Sequence, residues 1–222
     1  MLMIRVKICG ITNRADAEAA AEADANLIGL NFYEKSPRFI SEVEASRVRA
    51  AVPHGIEAVG IFVNAAPQEM LRICRKLRLD AAQLHGDESR EVVAEVAAAL
   101  PVFKVFRVTS DFAPDVLDDY SAASAFLLDA SQAGQYGGTG HTIDWALARR
   151  AAASHRIILA GGLKPENVAG AIRVVRPWGV DVASGVESKP GKKDHARLRD
   201  FVEEVRRAEK QLEAHAEKSS AL

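Results

Sequence analysis

The stretch RIILAGGLKPENVAGAIRVVRPWGVDVASG, residues 156–185, contains the repeating unit of the whole chain. A short β-branched run, residues 156–162, is followed by a helix-forming segment, residues 165–175, and by a second short run, residues 179–185. Two strands joined through a helix run parallel, because the crossover returns the chain to the same edge of the sheet. The almost continuous apolar run RIILA is typical of a strand buried on both faces. The stretch therefore predicts one β–α–β unit of a parallel sheet.

The same alternation extends from this unit towards both ends of the chain. Six earlier strands are predicted at residues 4–9, 25–32, 55–63, 80–85, 101–108 and 124–130. The other helices are predicted at residues 14–23, 41–51, from about 66, 88–99, 115–120, 144–153 and 194–210. Eight such units in a chain of 222 residues predict an α/β protein, a single (β/α)₈ TIM barrel with a parallel eight-stranded core. An open, doubly wound sheet is the alternative, but the G-x-G-x-x-G turn common in such sheets does not follow the first strand.

No linker or break in composition divides the chain, so we expect one domain over residues 1–222. Its last stretch, EAHAEKSSAL, is polar, and a tail from about residue 213 is expected to fray. Ser41 and Glu44 stand three residues apart at the start of the second predicted helix, and this spacing predicts a capping box.

Composition indicates a globular protein that binds neither nucleic acid nor a membrane surface. Hydrophobic residues make up 48% and charged residues 27%, the net charge is −1, and the basic residues are scattered. The N-terminus lacks the apolar core of a signal peptide, and no apolar run approaches the roughly 18 residues of a membrane helix. Two cysteines, Cys9 and Cys74, are too few for a disulfide framework. We expect a cytoplasmic monomer or homodimer.

In barrels of this class the active site lies at the C-terminal ends of the strands. The residues at these ends are Cys9, Asn31, Phe32, Asn64, His85, Arg107, Asp129, Gly161, Gly162, Ser184 and Gly185. The glycine turns after strands seven and eight allow a backbone to approach an anion, and these two strands are the usual phosphate-binding pair. Tight turns that need glycine only for their dihedral angles are the alternative, but two such turns at these positions favour phosphate.

Two strand-end residues are candidates for acid–base chemistry. Asp129 ends the apolar run AFLLD, and burial favours the protonated form of a carboxyl group, which suits a general acid. Capping of the following loop is an equally good explanation for this position. Cys9 taken alone is more simply a core thiol, but Lys7 faces the same side of the strand and its ammonium would stabilise a thiolate.

Three further features have a functional and a simpler interpretation. Arg38, in the loop YEKSPRFIS after strand two, offers a planar fork to a carboxylate or phosphate, or is merely solvated. His85 is a candidate pocket residue or a structural hydrogen-bonding residue. The Gly-rich stretch from Ser131 to Thr142 is long for a compact domain, which is typical of a functional loop. No C-x-x-C spacing and no paired His with a carboxylate is present, so we expect no metal site.

Taken together, the strand-end motifs resemble those of the phosphoribosylanthranilate isomerases. The motifs are VKICGIT, IGLNFYEKSPRFIS, GIFVN, QLHGDE, LLDA, GGTGHTIDW, LAGGLKPENV and GVDVASGVESKPGKKD, in the family's order from Lys7 to about Phe201. The resemblance implies an Amadori rearrangement of N-(5-phosphoribosyl)anthranilate to 1-(2-carboxyphenylamino)-1-deoxyribulose 5-phosphate in tryptophan biosynthesis. It implies no cofactor and no metal.

The resemblance also assigns roles to individual positions. It implies that Asp129 is the general acid that protonates the ring oxygen, and that Cys9 is the general base that removes the proton from C2′. It implies that Arg38 anchors the anthranilate carboxylate, and that His85 lines the pocket. Phosphate is expected at Gly161, Gly162, Ser184 and Gly185, and the loop from Gly137 to Gly140, with Gly138 inside it, is expected to cover the substrate.

Two other functions would explain the glycine turns but not the motifs at Cys9, Asp129 and Arg38. One is a different phosphosugar-binding barrel enzyme of tryptophan or histidine biosynthesis. The other is a non-catalytic barrel that binds an anion. The reactive pair Cys9 and Asp129 together with the SPR motif at Arg38 argues against both.

Overall fold

The chain folds into a closed barrel of eight parallel strands in a computed structural model that describes residues 3–53, 55–109, 111–130 and 144–220. The strands are β1 (Arg5–Cys9), β2 (Leu27–Asn31), β3 (Glu57–Phe62), β4 (Ala81–Leu84), β5 (Val102–Arg107), β6 (Ala125–Asp129), β7 (Ile157–Leu159) and β8 (Gly179–Val182). Each strand is parallel to the next, and β8 closes the barrel by pairing with β1. The predicted TIM barrel is confirmed, and the open-sheet alternative is wrong.

Helices surround the barrel in the predicted order. They are α1 (Arg14–Glu22), α2 (Glu42–Ala51), α3 (Pro67–Leu77), α4 (Arg90–Ala97), α5 (Trp145–Ala152), α6 (Pro165–Val175) and α7 (His195–Ser220), with a 3₁₀ helix (Pro114–Tyr120) between β5 and β6. The helix α6 has the predicted ends, whereas α7 continues ten residues beyond the predicted Lys210. None of the helices in the described ranges combines the length and the apolarity that crossing a bilayer requires.

The starts of α4 and α2 show where helix capping departs from the prediction. The helix α4 begins at Arg90 and not at Glu88, because Ser89 caps it by accepting from the backbone N–H of Val92. Glu88 instead turns inward and pairs with buried Lys104. At α2 only half of the predicted capping box forms, since Ser41 accepts from the Glu44 N–H while the Glu44 carboxylate accepts from the Ser41 hydroxyl. The peptide N–H of Ser41 therefore takes no part in the cap.

The core has two layers. A large cluster fills the space between the strands and the helices, and a smaller cluster of side chains from the strands fills the barrel itself. Five polar side chains on the barrel strands are also buried, namely Lys7, Gln83, Lys104, Asp129 and Asp181. Burial of a polar group is costly unless the group is paired, so each of these side chains is expected to have a hydrogen-bond or ion-pair partner.

A short hairpin after β8 was not predicted. A 3₁₀ turn (Ser184–Val186) leads into β9 (Glu187–Lys189), which pairs antiparallel with β10 (Lys192–Lys193). The turn between them holds Pro190 and Gly191, a dipeptide typical of tight turns, and Gly191 has φ +77°. The hairpin returns the chain to the mouth of the barrel before α7 begins.

Candidate active site

A cavity of about 270 Å³ opens at the C-terminal ends of the strands. Its lining includes seven of the predicted site residues, namely Cys9, Arg38, His85, Asp129, Gly161, Gly162 and Ser184. Lys7 and Gly185 are not part of the lining but lie against it, Lys7 beside Cys9 and Gly185 beside Leu163. Gly138 and the rest of the expected cover loop lie outside the described residues. Arg107, at the end of β5, is not part of the cavity lining and instead pairs with Asp87 at 3.4 Å.

Cys9 ends β1 beside a buried ion pair. Lys7, two residues back on the same face, places Nζ 2.9 Å from Oδ1 of Asp181 on β8 and lies beside the Cys9 side chain. Gly29 on β2 leaves room for the group, because a Cβ there would lie 3.1 Å from both the Cys9 Sγ and the Lys7 Nζ. Three side chains from two adjacent strands therefore meet at one point of the cavity floor.

The pKa values of Cys9 and Lys7 are set by burial and by the neighbouring charges. Burial raises the pKa of the Cys9 thiol and Asp181 raises it further, whereas Lys7 and Lys193 lower it, and the balance lies above the ordinary value. Burial lowers the pKa of Lys7, but Asp181 and Cys9 raise it by more, so that the amine stays charged. Lys7 thus lowers the pKa of Cys9, as predicted, although burial and Asp181 together outweigh it.

Asp129 ends β6 as a buried carboxyl group at the same cavity. Its Oδ2 lies 3.5 Å from Nε2 of His85 at the end of β4. The other ring nitrogen of His85 lies 3.0 Å from Nε2 of Gln83. With the Gln83 amide donating, a neutral His85 carries its proton on Nε2, which faces Asp129. Among the described residues Nε2 of His85 is buried and has no hydrogen-bond partner.

The two glycine turns form one continuous surface at β7 and β8. Gly161 and Gly162 have φ values of +80° and +62°, which is left-handed backbone that favours glycine. A Cβ at Gly185 would lie only 1.9 Å from the carbonyl oxygen of Leu163, so the turns touch. Within the described parts of the chain, the N–H groups of Gly161, Gly162 and Ser184 donate no hydrogen bond. Free N–H groups in the turn that leads into α6 and at the start of a 3₁₀ turn suit a phosphate.

Arg38 lines the same cavity and is held by a carboxylate. Its Nε donates to Oε1 of Glu187 at 2.9 Å and its Nη2 to Oε2 at 2.7 Å. Gly10 makes space for the side chain, because a Cβ there would lie 2.5 Å from the Arg38 Cδ. The loop that carries Arg38 is ordered by Ser36, whose hydroxyl accepts from the Arg38 N–H and from the Asn31 amide.

Three charged residues that pair with predicted site residues or with each other were not predicted. They are Asp181 beside Cys9, and Glu187 and Lys193 beside Arg38. A signal for Asp181 was present, since a charged residue inside the apolar run GVDVA is costly unless it is paired. For Glu187 and Lys193 the only available signal was the Pro190–Gly191 dipeptide between them, which is typical of a turn. No group of three or more His, Cys, Asp or Glu side chains in the described ranges is arranged to hold a metal ion.

The chain was compared with known protein families and sequences. The model of the family described as N-(5'phosphoribosyl)anthranilate (PRA) isomerase matches residues 6–204. The N-(5'-phosphoribosyl)anthranilate isomerase of Trichlorobacter lovleyi is 48% identical over 207 residues, which cover 93% of this chain and all of the relative.

Solved structures agree with the sequence comparison. The phosphoribosyl anthranilate isomerase of Thermotoga maritima superposes with a TM-score of 0.86 at 40% identity and covers 92% of this chain and 99% of its own. A phosphoribosyl anthranilate isomerase solved in complex with reduced 1-(o-carboxyphenylamino)-1-deoxyribulose 5-phosphate gives a TM-score of 0.83 at 40% identity, with the same coverage.

Proposed function

This chain belongs to the N-(5'-phosphoribosyl)anthranilate isomerase family, and from that premise we propose that Asp129 and Cys9 are its general acid and general base. The protein is an isomerase of tryptophan biosynthesis that acts on N-(5'-phosphoribosyl)anthranilate. The observation that carries the proposal is that a carboxyl group and a thiol from separate strands line the same cavity as two glycine turns and an arginine.

The first step opens the furanose ring. Asp129 donates its proton to the ring oxygen while the lone pair of the anthranilate nitrogen forms the C1′–N double bond, and the C1′–O bond breaks. The product of this step is a Schiff base, and Asp129 is left as a carboxylate. His85, with its Nε2 facing Oδ2 at 3.5 Å, supports the developing charge as a pocket residue.

The second step moves the carbon-bound proton. Cys9 removes the proton from C2′, and the electrons of that C–H bond form an enolamine, which tautomerises to the ketone. The ammonium groups of Lys7 and Lys193 both lower the pKa of the Cys9 thiol and so favour the thiolate that this step requires. Asp181 keeps Lys7 charged and in place, so the base has its counter-charge before substrate arrives.

Two anchors orient the substrate between acid and base. The free N–H groups of the Gly161, Gly162 and Ser184 turns bind the phosphate, with Gly185 permitting the turns to touch. Arg38 binds the anthranilate carboxylate at the other end. Fixing both ends of a substrate converts a loose encounter into a reactive geometry. Gly138 belongs to the expected cover loop, residues 1–222 form a single catalytic domain, and the end of α7 is expected to fray from about residue 213.

The cellular compartment, the partners and the oligomeric state are also proposed. Both Cys9 and Cys74 are free thiols, which suits the cytoplasm. We expect no nucleic acid, membrane, cofactor or metal partner, and a monomer or a homodimer.

The test is turnover of phosphoribosylanthranilate by the pure protein, followed by the loss of substrate fluorescence. Cys9→Ser is assayed beside the wild type. Turnover that depends on Cys9 supports the proposal. Binding of phosphate without turnover would instead support a non-catalytic anion-binding barrel, and turnover only of another sugar phosphate would support a different barrel enzyme.

A further inference from the structure

The hairpin after β8 brings a carboxylate to the mouth of the cavity, where the family resemblance assigned no role. Glu187, the first residue of β9, is buried with a side chain 4% exposed. Its Oε1 accepts from Nε of Arg38 and from Nζ of Lys193, each at 2.9 Å, and from the N–H of Gly191 at 3.3 Å. Its Oε2 accepts from Nη2 of Arg38 at 2.7 Å. A carboxylate with four donors has no freedom to rotate away.

From these contacts we infer that Glu187 is a positioning residue that holds the Arg38 guanidinium ready for the carboxylate of the substrate. The inference rests on the proposed function, because it takes the anthranilate carboxylate as the group that Arg38 binds. A guanidinium has five N–H donors, and the fork to Glu187 uses two of them. Three donors remain for a ligand, so the ion pair orients Arg38 without consuming it.

Lys193 explains why Glu187 stays charged and in place next to an arginine that must also bind a second anion. Its three ammonium hydrogens reach Glu187, the Cys9 carbonyl oxygen at 2.6 Å and the Ala183 carbonyl oxygen at 3.3 Å. The lysine thereby ties the hairpin to the ends of β1 and β8. Burial opposes ionisation of Glu187, but Arg38 and Lys193 hold its pKa below the ordinary value.

On the side away from Glu187, the backbone around Gly10 packs against the Arg38 side chain. At Gly10 a Cβ would lie 2.5 Å from the Arg38 Cδ and 3.2 Å from its Cβ and Cγ, so the stem of the arginine lies directly against the β1 turn. The Gly191 turn lies against the same loop, since a Cβ there would be 3.1 Å from the Pro37 carbonyl oxygen. With its stem confined by the backbone and its head held by Glu187, Arg38 is preorganised for binding.

The experiment uses Glu187→Gln, which removes the charge at nearly constant shape. The dissociation constant of reduced 1-(o-carboxyphenylamino)-1-deoxyribulose 5-phosphate is measured by calorimetry, together with that of inorganic phosphate. We expect the analogue to bind roughly ten- to a hundredfold more weakly, the range that one lost hydrogen bond to a charged group corresponds to. Inorganic phosphate affinity stays within about twofold, because the glycine turns are unchanged. In turnover the loss falls mainly on KM and less on kcat.

Two further variants separate positioning from a merely structural role. In a cycle with Arg38→Ala, adding Glu187→Gln to Arg38→Ala has little further effect on analogue binding, because Glu187 acts through Arg38. Glu187→Asp keeps the charge and recovers part of the affinity. The matched control is Glu69→Gln, which removes a carboxylate from a similar two-pronged pair with Arg72 on the surface and leaves both affinities unchanged.

The outcomes are distinguishable. Analogue affinity equal to wild type in Glu187→Gln, a parallel loss of phosphate affinity, or full additivity with Arg38→Ala would each overturn the positioning role. If the wild type itself neither turns over phosphoribosylanthranilate nor binds the analogue, the proposed function has failed, and the positioning role fails with it.

Discussion

Lys7 and Asp181 occupy facing positions on β1 and β8 and form an ion pair of 2.9 Å inside the barrel. A buried pair of this kind is a poor source of stability, because desolvation of the two charges offsets their attraction. Its place beside the Cys9 sulfur indicates a different use. The charge of Lys7 lowers the pKa of the Cys9 thiol, and Asp181 raises it, so the pair sets the charge on the proposed base.

The first prediction concerns the pKa of Cys9, with opposite signs for the two partners. Lys7→Met removes a cation that lowers the thiol pKa and therefore moves the midpoint of alkylation by iodoacetamide to higher pH. Asp181→Asn removes an anion that raises it and moves the midpoint to lower pH. Both variants are made in a Cys74→Ala background, so that only Cys9 reacts.

Breaking a buried pair costs about 3–5 kcal/mol, so each variant is first shown to be folded by far-UV circular dichroism. Midpoints that shift in the same direction, or not at all, would mean that the charge on the Cys9 sulfur is set by other groups. Slower turnover by Lys7→Met at neutral pH is expected for the same electrostatic reason.

The second prediction concerns the acid and the base. Cys9→Ser and Asp129→Asn each reduce kcat by roughly a hundred- to ten-thousandfold, the usual contribution of a positioned acid or base. The control is Cys74→Ser, because Cys74 lies in α3 away from the cavity and burial raises its pKa to about 12. Near-normal kcat in either catalytic variant, with native circular dichroism, would reject the assignment of that residue.

The third prediction concerns the contact between the phosphate turns. Gly185→Ala places a Cβ 1.9 Å from the Leu163 carbonyl oxygen and forces the turns of β7 and β8 apart. We expect the inhibition constant of inorganic phosphate to rise by roughly tenfold or more, since the loss of even one well-aligned charge-assisted hydrogen bond has this effect. KM for the substrate rises with it.

Gly170→Ala is the matched control for this change. Gly170 lies within α6, and a Cβ there would be 3.7 Å from the Trp145 ring, an ordinary contact. Alanine in a helix interior is favoured over glycine by about 1 kcal/mol, so the variant keeps phosphate binding and gains slight stability. If the inhibition constant of inorganic phosphate were the same for Gly185→Ala and wild type, the two turns would not be the phosphate-binding site.

The fourth prediction concerns stability in acid. The pKa of Glu187 is lower in the folded protein than its ordinary value of 4.5, so ionised Glu187 stabilises the fold above that value. This contribution is lost as the pH falls from about 4.5 through the folded pKa. The difference in unfolding free energy between wild type and Glu187→Gln is therefore expected to shrink between about pH 7 and about pH 4.

Urea denaturation at the two pH values measures this difference. In Glu69→Gln the same difference varies much less with pH, because the Glu69–Arg72 pair is exposed to solvent. A difference for Glu187→Gln that stays constant or widens in acid would contradict the sign of the pKa shift.

Local sequence was enough to place the elements of the barrel. The helix α6 begins and ends where its pattern predicted, because Pro165 and the apolar spacing up to Val175 act over a few residues. The strand-end rule then placed Cys9, His85 and Asp129 at one mouth without any coordinates. Cys9 and Asp129 now line one cavity, with Asp129 facing His85, a relation that spacing alone did not contain.

Only the tertiary structure decided what these residues are paired with. Lys7 meets Asp181 because β8 closes onto β1, and Arg38 meets Glu187 because the unpredicted hairpin folds back over the mouth. The partners in these pairs are 174 and 149 residues apart along the chain. Propensities and periodicity report on neighbours within a few turns of helix or strand. The protonation of Cys9 and the orientation of Arg38 depend instead on charges that only barrel closure and the hairpin bring within 3 Å.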